Sequence, residues 1–235
     1  MREKLQRLWD SSGRWFLLGL PLAGMIAILL SEVRGKKFKK TVQTAITIPN
    51  FISWIIIYSI MFSLFSNDGL LTTLVRGLSG NRDSTVTLLT NPGTAKLFMV
   101  LTNIWKTVGY NSIIFFAAVT GIDSQLYDAA AVDGAGRWQK ILHITIPGIL
   151  PTFITLLIIS VGAILNNGFE QYYVFVNPMI QKNIEVLDYY VYRIGMLNND
   201  IPASTAVSMI KTFISVVLVF SVNKLSKKTL GQSIL

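Results

Sequence analysis

Long apolar runs separated by short polar, mostly basic connectors are the dominant pattern of this chain. The first run, WFLLGLPLAGMIAILLS (Trp15 to Ser31), carries no charge. A second charge-free window extends from Thr41 to Asn67 and centres on ITIPNFISWIIIYSIMFSLF. The third, AKLFMVLTNIWKTVGYNSIIFFAAVTGI, begins at Ala95 and holds Lys106 in its middle. The fourth is ILPTFITLLIISVGAIL (Ile149 to Leu165), and the fifth, ASTAVSMIKTFISVVLVFSV (Ala203 to Val222), holds Lys211. A helix crosses a bilayer with about 20 apolar residues. Backbone groups in lipid must be paired within their own segment, which makes helices the expected element. The alternating pattern of a membrane barrel is missing. The pattern predicts an all-α, polytopic helical membrane protein. Its spans fall near residues 15–31, 45–66, 95–118, 149–166 and 203–222, in one membrane domain without internal repeats.

Composition sharpens this reading. Of 235 residues, 51% are hydrophobic and 14% charged, against roughly 25% charged in soluble domains. The net charge of +9 comes from 21 Lys and Arg against 12 Asp and Glu. These cations flank the apolar runs, which fits a membrane surface rather than nucleic acid. The absence of Cys excludes disulfides, cysteine zinc sites and thiol catalysis, and His143 stands alone, so no two-histidine metal site is expected. The connector EVRGKKFKKT, with Arg34, Lys36, Lys37, Lys39 and Lys40, marks the cytoplasmic side. Alternation then places Asn67 to Gly93 and Val174 to Pro202 outside, and the tail with Lys224, Lys227 and Lys228 inside. It also places residues 1–14 outside, although they carry Arg2, Lys4, Arg7 and Arg14. The expectation is that a preceding helix is missing or that the first segment does not fully cross. No cleavable signal peptide is read there.

The polar stretch DSQLYDAAAVDGAGRWQKILHITIPGILPT (Asp123 to Thr152) interrupts the apolar pattern. Asp123 suits a helix N-cap, nothing from Gln125 to Val132 breaks a helix, and Gly134 and Gly136 permit a turn. A second short helix, Arg137 to Ile144, is expected to end against Pro147. Tyr127, Ala130, Ala131 and Gly134 share one face of the first helix, nearly bare of side chains and open to close approach. Arg137 and Trp138 are residue types that anchor interfaces. From the residues alone, a helical connector lying on the membrane and a docking element remain equal readings.

The spacing of this stretch resembles the EAA loop of permease subunits of type I ABC importers. Asp128-Ala129-Ala130 is followed by three residues, Gly134, nine residues, Ile144, one residue, and Ile146-Pro147. Asp replaces the usual Glu and Ile the usual Leu. PNFISW, IWKTVGYNSI, NNGFEQ and YVYRIG are similar to the carbohydrate and polysaccharide branch of these permeases, known from Gram-positive bacteria. The likeness extends from about Leu17 to Leu235. It implies the type I permease fold, which has six core helices; five are apparent here, the first apparently missing. It also implies that the loop at 123–148 is a cytoplasmic coupling helix. The residues then expected to engage an ATPase are Tyr127, Asp128, Ala129, Ala130, Asp133, Gly134, Ala135, Arg137, Trp138, Ile144 and Pro147. A second permease subunit (a heterodimer), two ATPase subunits that use ATP and Mg, and an extracellular solute-binding protein are the implied partners, in the cell membrane. The chain has no G-x-x-x-x-G-K-[ST] loop, so it is expected to bind no cofactor of its own and to catalyse nothing.

An oligosaccharide pathway needs aromatic faces and hydrogen-bonding side chains. Asn50, Trp54, Trp105, Lys106, Tyr110, Asn111, Asn166, Asn167, Glu170, Gln171 and Tyr172 offer them, with a helix break expected near Gly168. Lys106 and Lys211 lie inside apolar segments, where a charge is costly and is a functional hypothesis by default. Snorkelling or structural pairing is the alternative, and no intramembrane carboxylate stands out as a partner for either. The same loop also serves amino acid, peptide and phosphate importers. An intramembrane enzyme would need a carboxylate pair, a Ser/His pair or a metal site that the chain lacks.

Overall fold

The structure is a computed structural model and describes residues 18–79, 88–165 and 168–230. Within these residues the regular structure is helical. Helix α1 covers Leu18–Glu32, α2 Lys36–Phe51, α3 Trp54–Phe65, α4 Leu70–Ser79 and α5 Pro92–Thr120. Then come α6 (Ser124–Val132), α7 (Arg137–Lys140), a π-helical turn (Ile141–Thr145) and α8 (Ile146–Gly162). The chain closes with α9 (Phe169–Phe175), α10 (Gln181–Ile184), α11 (Leu187–Tyr192), a second π turn (Arg193–Leu197) and α12 (Ile201–Leu230). Among the described residues, Trp54–Ser79, Arg137–Gly162 and Ile201–Lys228 are long and apolar enough to cross a membrane, and Leu18–Glu32 is a shorter apolar helix.

The segment at 45–66 is not one helix. Helix α2 contains Pro49 in its last turn and stops at Phe51. Ser53 then takes an extended conformation and caps α3, its Oγ accepting from Ile56 N–H at 3.4 Å. A proline lacks the donor that would continue the ladder, and a capping serine starts a new one. The carbonyls left at the end of α2 are met from elsewhere. Lys106 Nζ, on α5, donates to Asn50 O at 3.0 Å and to Pro49 O at 3.3 Å. A cation at this end also suits the helix dipole.

The fourth segment departs from expectation at both ends. No helix stops against Pro147; α7, the π turn and α8 are continuous. Pro147 has no N–H for the carbonyl of His143. The turn before it widens to i→i+5 bonding, with Ile146 N–H reaching Ile141 O, which absorbs the missing bond. The helix ends at Gly162 rather than near 166. Gly168, with φ +41, precedes α9.

The chain divides into two compact units, and α5 and α12 contribute to both. One is drawn from Phe51–Asn103 and Ile164–Phe213. Its core contains Trp54, Ile57, Met99, Tyr172, Phe175 and Tyr189. The Phe175 ring meets Trp54 and Tyr58 edge-on at 6.4 and 5.2 Å. The other unit is drawn from Trp15–Asn50, Ile104–Ala163 and Ile214–Leu235, within the described residues. There Leu20, Ala23 and Ala27, on one face of α1, pack with Phe115, Val119 and Ile149.

Candidate coupling surface

Asp123 caps α6 as its sequence predicts, its Oδ1 accepting from Gln125 N–H at 2.9 Å. The helix stops in a Schellman motif. Ala135 N–H bonds to Ala130 O at 2.8 Å and Gly134 N–H to Ala131 O at 3.2 Å, and Gly134 holds φ +75. This left-handed position disfavours any residue with a Cβ. The glycine that follows the Ala pair at fixed spacing is thus the residue that turns the chain. Gln139 Oε1 then accepts from Gly136 N–H at 2.7 Å, starting α7 in half of a capping box.

The resulting hairpin is fastened at one point and exposed around it. The Tyr127 hydroxyl lies 2.9 Å from the buried Thr145 Oγ1. Tyr127, Ala130, Ala135 and Ile144 are half-buried. Asp128, Ala129, Ala131, Asp133, Gly134, Arg137, Trp138 and Pro147 are exposed. The expected small face is therefore split, with Tyr127 and Ala130 turned inward and Ala131 and Gly134 left open. Large apolar side chains stand in water-accessible positions here: Val132 is 88% exposed and Trp138 75%. Ala130, Asp133, Gly134, Ala135, Gln139, Lys140, His143 and Ile144 line an open depression of about 300 Å³. His143 Nδ1 donates to Gln139 O at 3.0 Å, because a carbonyl can only accept. Arg137 Nε is 4.0 Å from Glu32 Oε2, an exposed pair that contributes little.

Replacing Gly134 with Ala tests this geometry. No atom lies within 4 Å of the added Cβ, so the cost is conformational, about 1–2 kcal/mol. The expected result is a protein that still inserts but unfolds at a lower temperature in detergent. An unchanged unfolding temperature for Gly134→Ala would show that the left-handed turn costs nothing there.

The residues proposed for a pathway scatter. Trp54, Gln171 and Tyr172 are buried in the core of their unit. Gln171 Nε2 donates to Met99 O at 2.8 Å and its Oε1 accepts from Asn103 Nδ2 at 3.0 Å, so these three side chains are spent on packing. Asn50 offers its carbonyl to Lys106, which is itself buried. Trp105 and Tyr110 are exposed on α5, Asn111 is half-buried, and Glu170 is exposed on α9. Asn166 and Asn167 lie outside the described residues. An aromatic group not singled out from the sequence lies beside Tyr172. The Phe169, Tyr173 and Tyr192 rings lie 5.2–5.4 Å apart, with Tyr173 48% exposed. A hydrogen bond with the Tyr173 side chain raises the Tyr192 phenol above its ordinary value. The phase of α9 decides which tyrosine is open, and the sequence motif does not contain it.

Lys211 has the carboxylate that no reading of the sequence supplied. It pairs with Asp188 of α11, both side chains mostly buried. Arg193 Nε pairs with Glu185 Oε1 at 2.8 Å in the same unit.

Comparison with known proteins places this geometry. The family described as "Binding-protein-dependent transport system inner membrane component" matches residues 19–230. The polygalacturonan/rhamnogalacturonan transport system permease protein YteP of Bacillus subtilis (strain 168) is 39% identical over 209 residues, 88% of this chain and 64% of YteP. Protein LplB of the same organism is 37% identical over 213 residues, 90% of this chain and 66% of LplB. The chain thus spans just under two thirds of the length of these relatives. A chain of a bacterial alginate ABC transporter, solved with an alginate pentasaccharide-bound periplasmic protein, superposes with a TM-score of 0.91 at 31% identity. That match covers 97% of this chain and 79% of the other. The fold is that of type I ABC importer permeases. With a helical fold, an exposed EAA-spaced hairpin and a family match across almost all described residues, the chain belongs to the binding-protein-dependent transport system inner membrane components.

Proposed function

We propose that this chain is a transmembrane permease subunit of an ATP-driven importer for an oligosaccharide or polysaccharide fragment, in the cell membrane of a Gram-positive bacterium. It forms the translocation pathway with a second, different permease. Two ATPase subunits bind and hydrolyse ATP with Mg, and an extracellular binding protein delivers the sugar. Permease members of the family transport rather than catalyse. The observation that carries the reading is the α6–α7 hairpin: capped, turned at Gly134, tied down through Tyr127, and mostly exposed, with Val132 and Trp138 uncovered. Apolar side chains clustered around a polar loop suit a protein groove. The sugar cargo is supported by the transport named for YteP and by the alginate-bound neighbour. The exposed Tyr173 ring, backed by the half-buried Phe169 and Tyr192, suits a sugar face.

The chain has no cysteine, so Val132→Cys introduces its only thiol, at an exposed position. Co-expressed with ATPase subunits carrying single cysteines around their docking grooves, it is expected to form a disulfide whose yield changes with ATP. An inserted protein that cross-links to no ATPase under any nucleotide condition removes the coupling role.

A further inference from the structure

We propose that the start of α2 is a docking surface for anionic lipid headgroups. The proposal rests on the membrane reading above. Helix α1 ends at Glu32, residues 33–35 have no regular structure, and α2 opens with Lys36, Lys37, Phe38, Lys39 and Lys40. The first turn contains no acidic residue. Arg34, Lys36, Lys37, Phe38 and Lys40 are exposed, and Phe38 stands 64% open among the cations. Lys39 alone turns inward, its Nζ 4.3 Å from the centre of the Phe116 ring.

This arrangement works against the helix that carries it. Four ammonium groups crowd the positive end of the dipole, and the pairs Lys36–Lys40, Lys36–Lys39 and Lys37–Lys40 repel at helical spacing. A layer of negative charge outside the protein removes both penalties. A lipid surface suits the position better than a protein groove does. The run directly follows an apolar helix, so it lies at headgroup depth, and an exposed Phe flanked by lysines is the pattern of an element resting in the interface. The α6–α7 hairpin, by contrast, mixes its cations with Asp123, Asp128 and Asp133. Each basic residue near an anionic leaflet is worth about a fivefold change in association.

The test uses the complete transporter, reconstituted in phosphatidylcholine vesicles containing phosphatidylglycerol. Phe38→Cys carries an environment-sensitive fluorophore, and bromine is placed on either the phosphatidylglycerol or the phosphatidylcholine at equal fractions. Brominated phosphatidylglycerol is expected to quench several-fold more strongly, and the combined K36Q, K37Q and K40Q substitutions to erase that preference. Equal quenching by the two lipids, a preference untouched by the glutamines, or no quenching because a protein covers the site would each overturn the proposal. A second label at Phe213→Cys, on the exposed apolar face of α12, separates the two levels. If both lipids quench Phe213 and Phe38 shows no preference, the patch fails and the membrane reading stands. If nothing quenches Phe213, the membrane reading fails and takes the patch with it.

Discussion

Gly109→Ala is expected to be among the most damaging small substitutions in this chain. A Cβ at Gly109 of α5 would overlap the carbonyl oxygen of Ile46 in α2 and come within 2.9 Å of Thr47 N. Those are backbone atoms within a helix and cannot rotate away. Relief requires α2 and α5 to separate, and overpacking of this kind costs roughly 1–3 kcal/mol or more. Separation also withdraws Lys106, three residues earlier on α5, from the carbonyls of Pro49 and Asn50. Each buried carbonyl left unpaired adds about 1–3 kcal/mol. The measurement is thermal unfolding of the detergent-solubilised protein, with Gly24→Ala as the comparison. Gly24 lies in α1 with nothing within 4 Å of an added Cβ, so alanine there should stabilise by about 1 kcal/mol through helix propensity. Opposite shifts at the two glycines are the expected result. Equal, small shifts would mean that α2 and α5 do not pack this closely.

The second large effect is expected at Lys211 and Asp188. Their side chains retain 14% and 18% of their exposure, so either charge alone would be stranded in a poorly solvated place. Breaking a buried pair from one side costs about 3–5 kcal/mol; the residual exposure puts this pair toward the lower end. Lys211→Met and Asp188→Asn should each destabilise strongly, while the double variant recovers most of the loss, because replacing both charges leaves nothing uncompensated. A double variant as unstable as the sum of the singles would show that the two charges act independently.

Local signals in the sequence were sufficient where one residue sets one piece of geometry. Asp123 marks the start of α6, Gly134 its left-handed end, and the apolar run around Ala95 the body of α5. The features that stayed hidden depend on partners far along the chain. Pro49 looked compatible with a single span, because the lysine that satisfies the broken end of α2 lies 56 residues beyond Asn50. Pro147 looked like a stop, because local rules describe α-helical turns and give no warning that a π turn will widen to admit it. Lys211 looked unpaired because Asp188 sits in what hydropathy reads as an outer connector. At the α6–α7 hairpin, spacing located the turn at Gly134 but not the orientation of the side chains around it. Which of Tyr127, Ala130 and Ala131 faces inward follows from the bond to Thr145, eighteen residues away.

The continuity of the chain through Pro147 has a mechanical consequence. From Arg137 to Gly162 there are 26 residues of unbroken helix, about 39 Å at 1.5 Å per residue. Trp138 is therefore the handle of a rod, not the tip of a tethered loop. A push on the indole is delivered along the shaft as tilt and torque instead of being dissipated in slack. The softest place in that shaft is the widened turn at Ile141–Thr145, one turn from the handle. The hydroxyl of Tyr127 grips that same turn from the side, so whatever holds the hairpin also sets the stiffness of the lever.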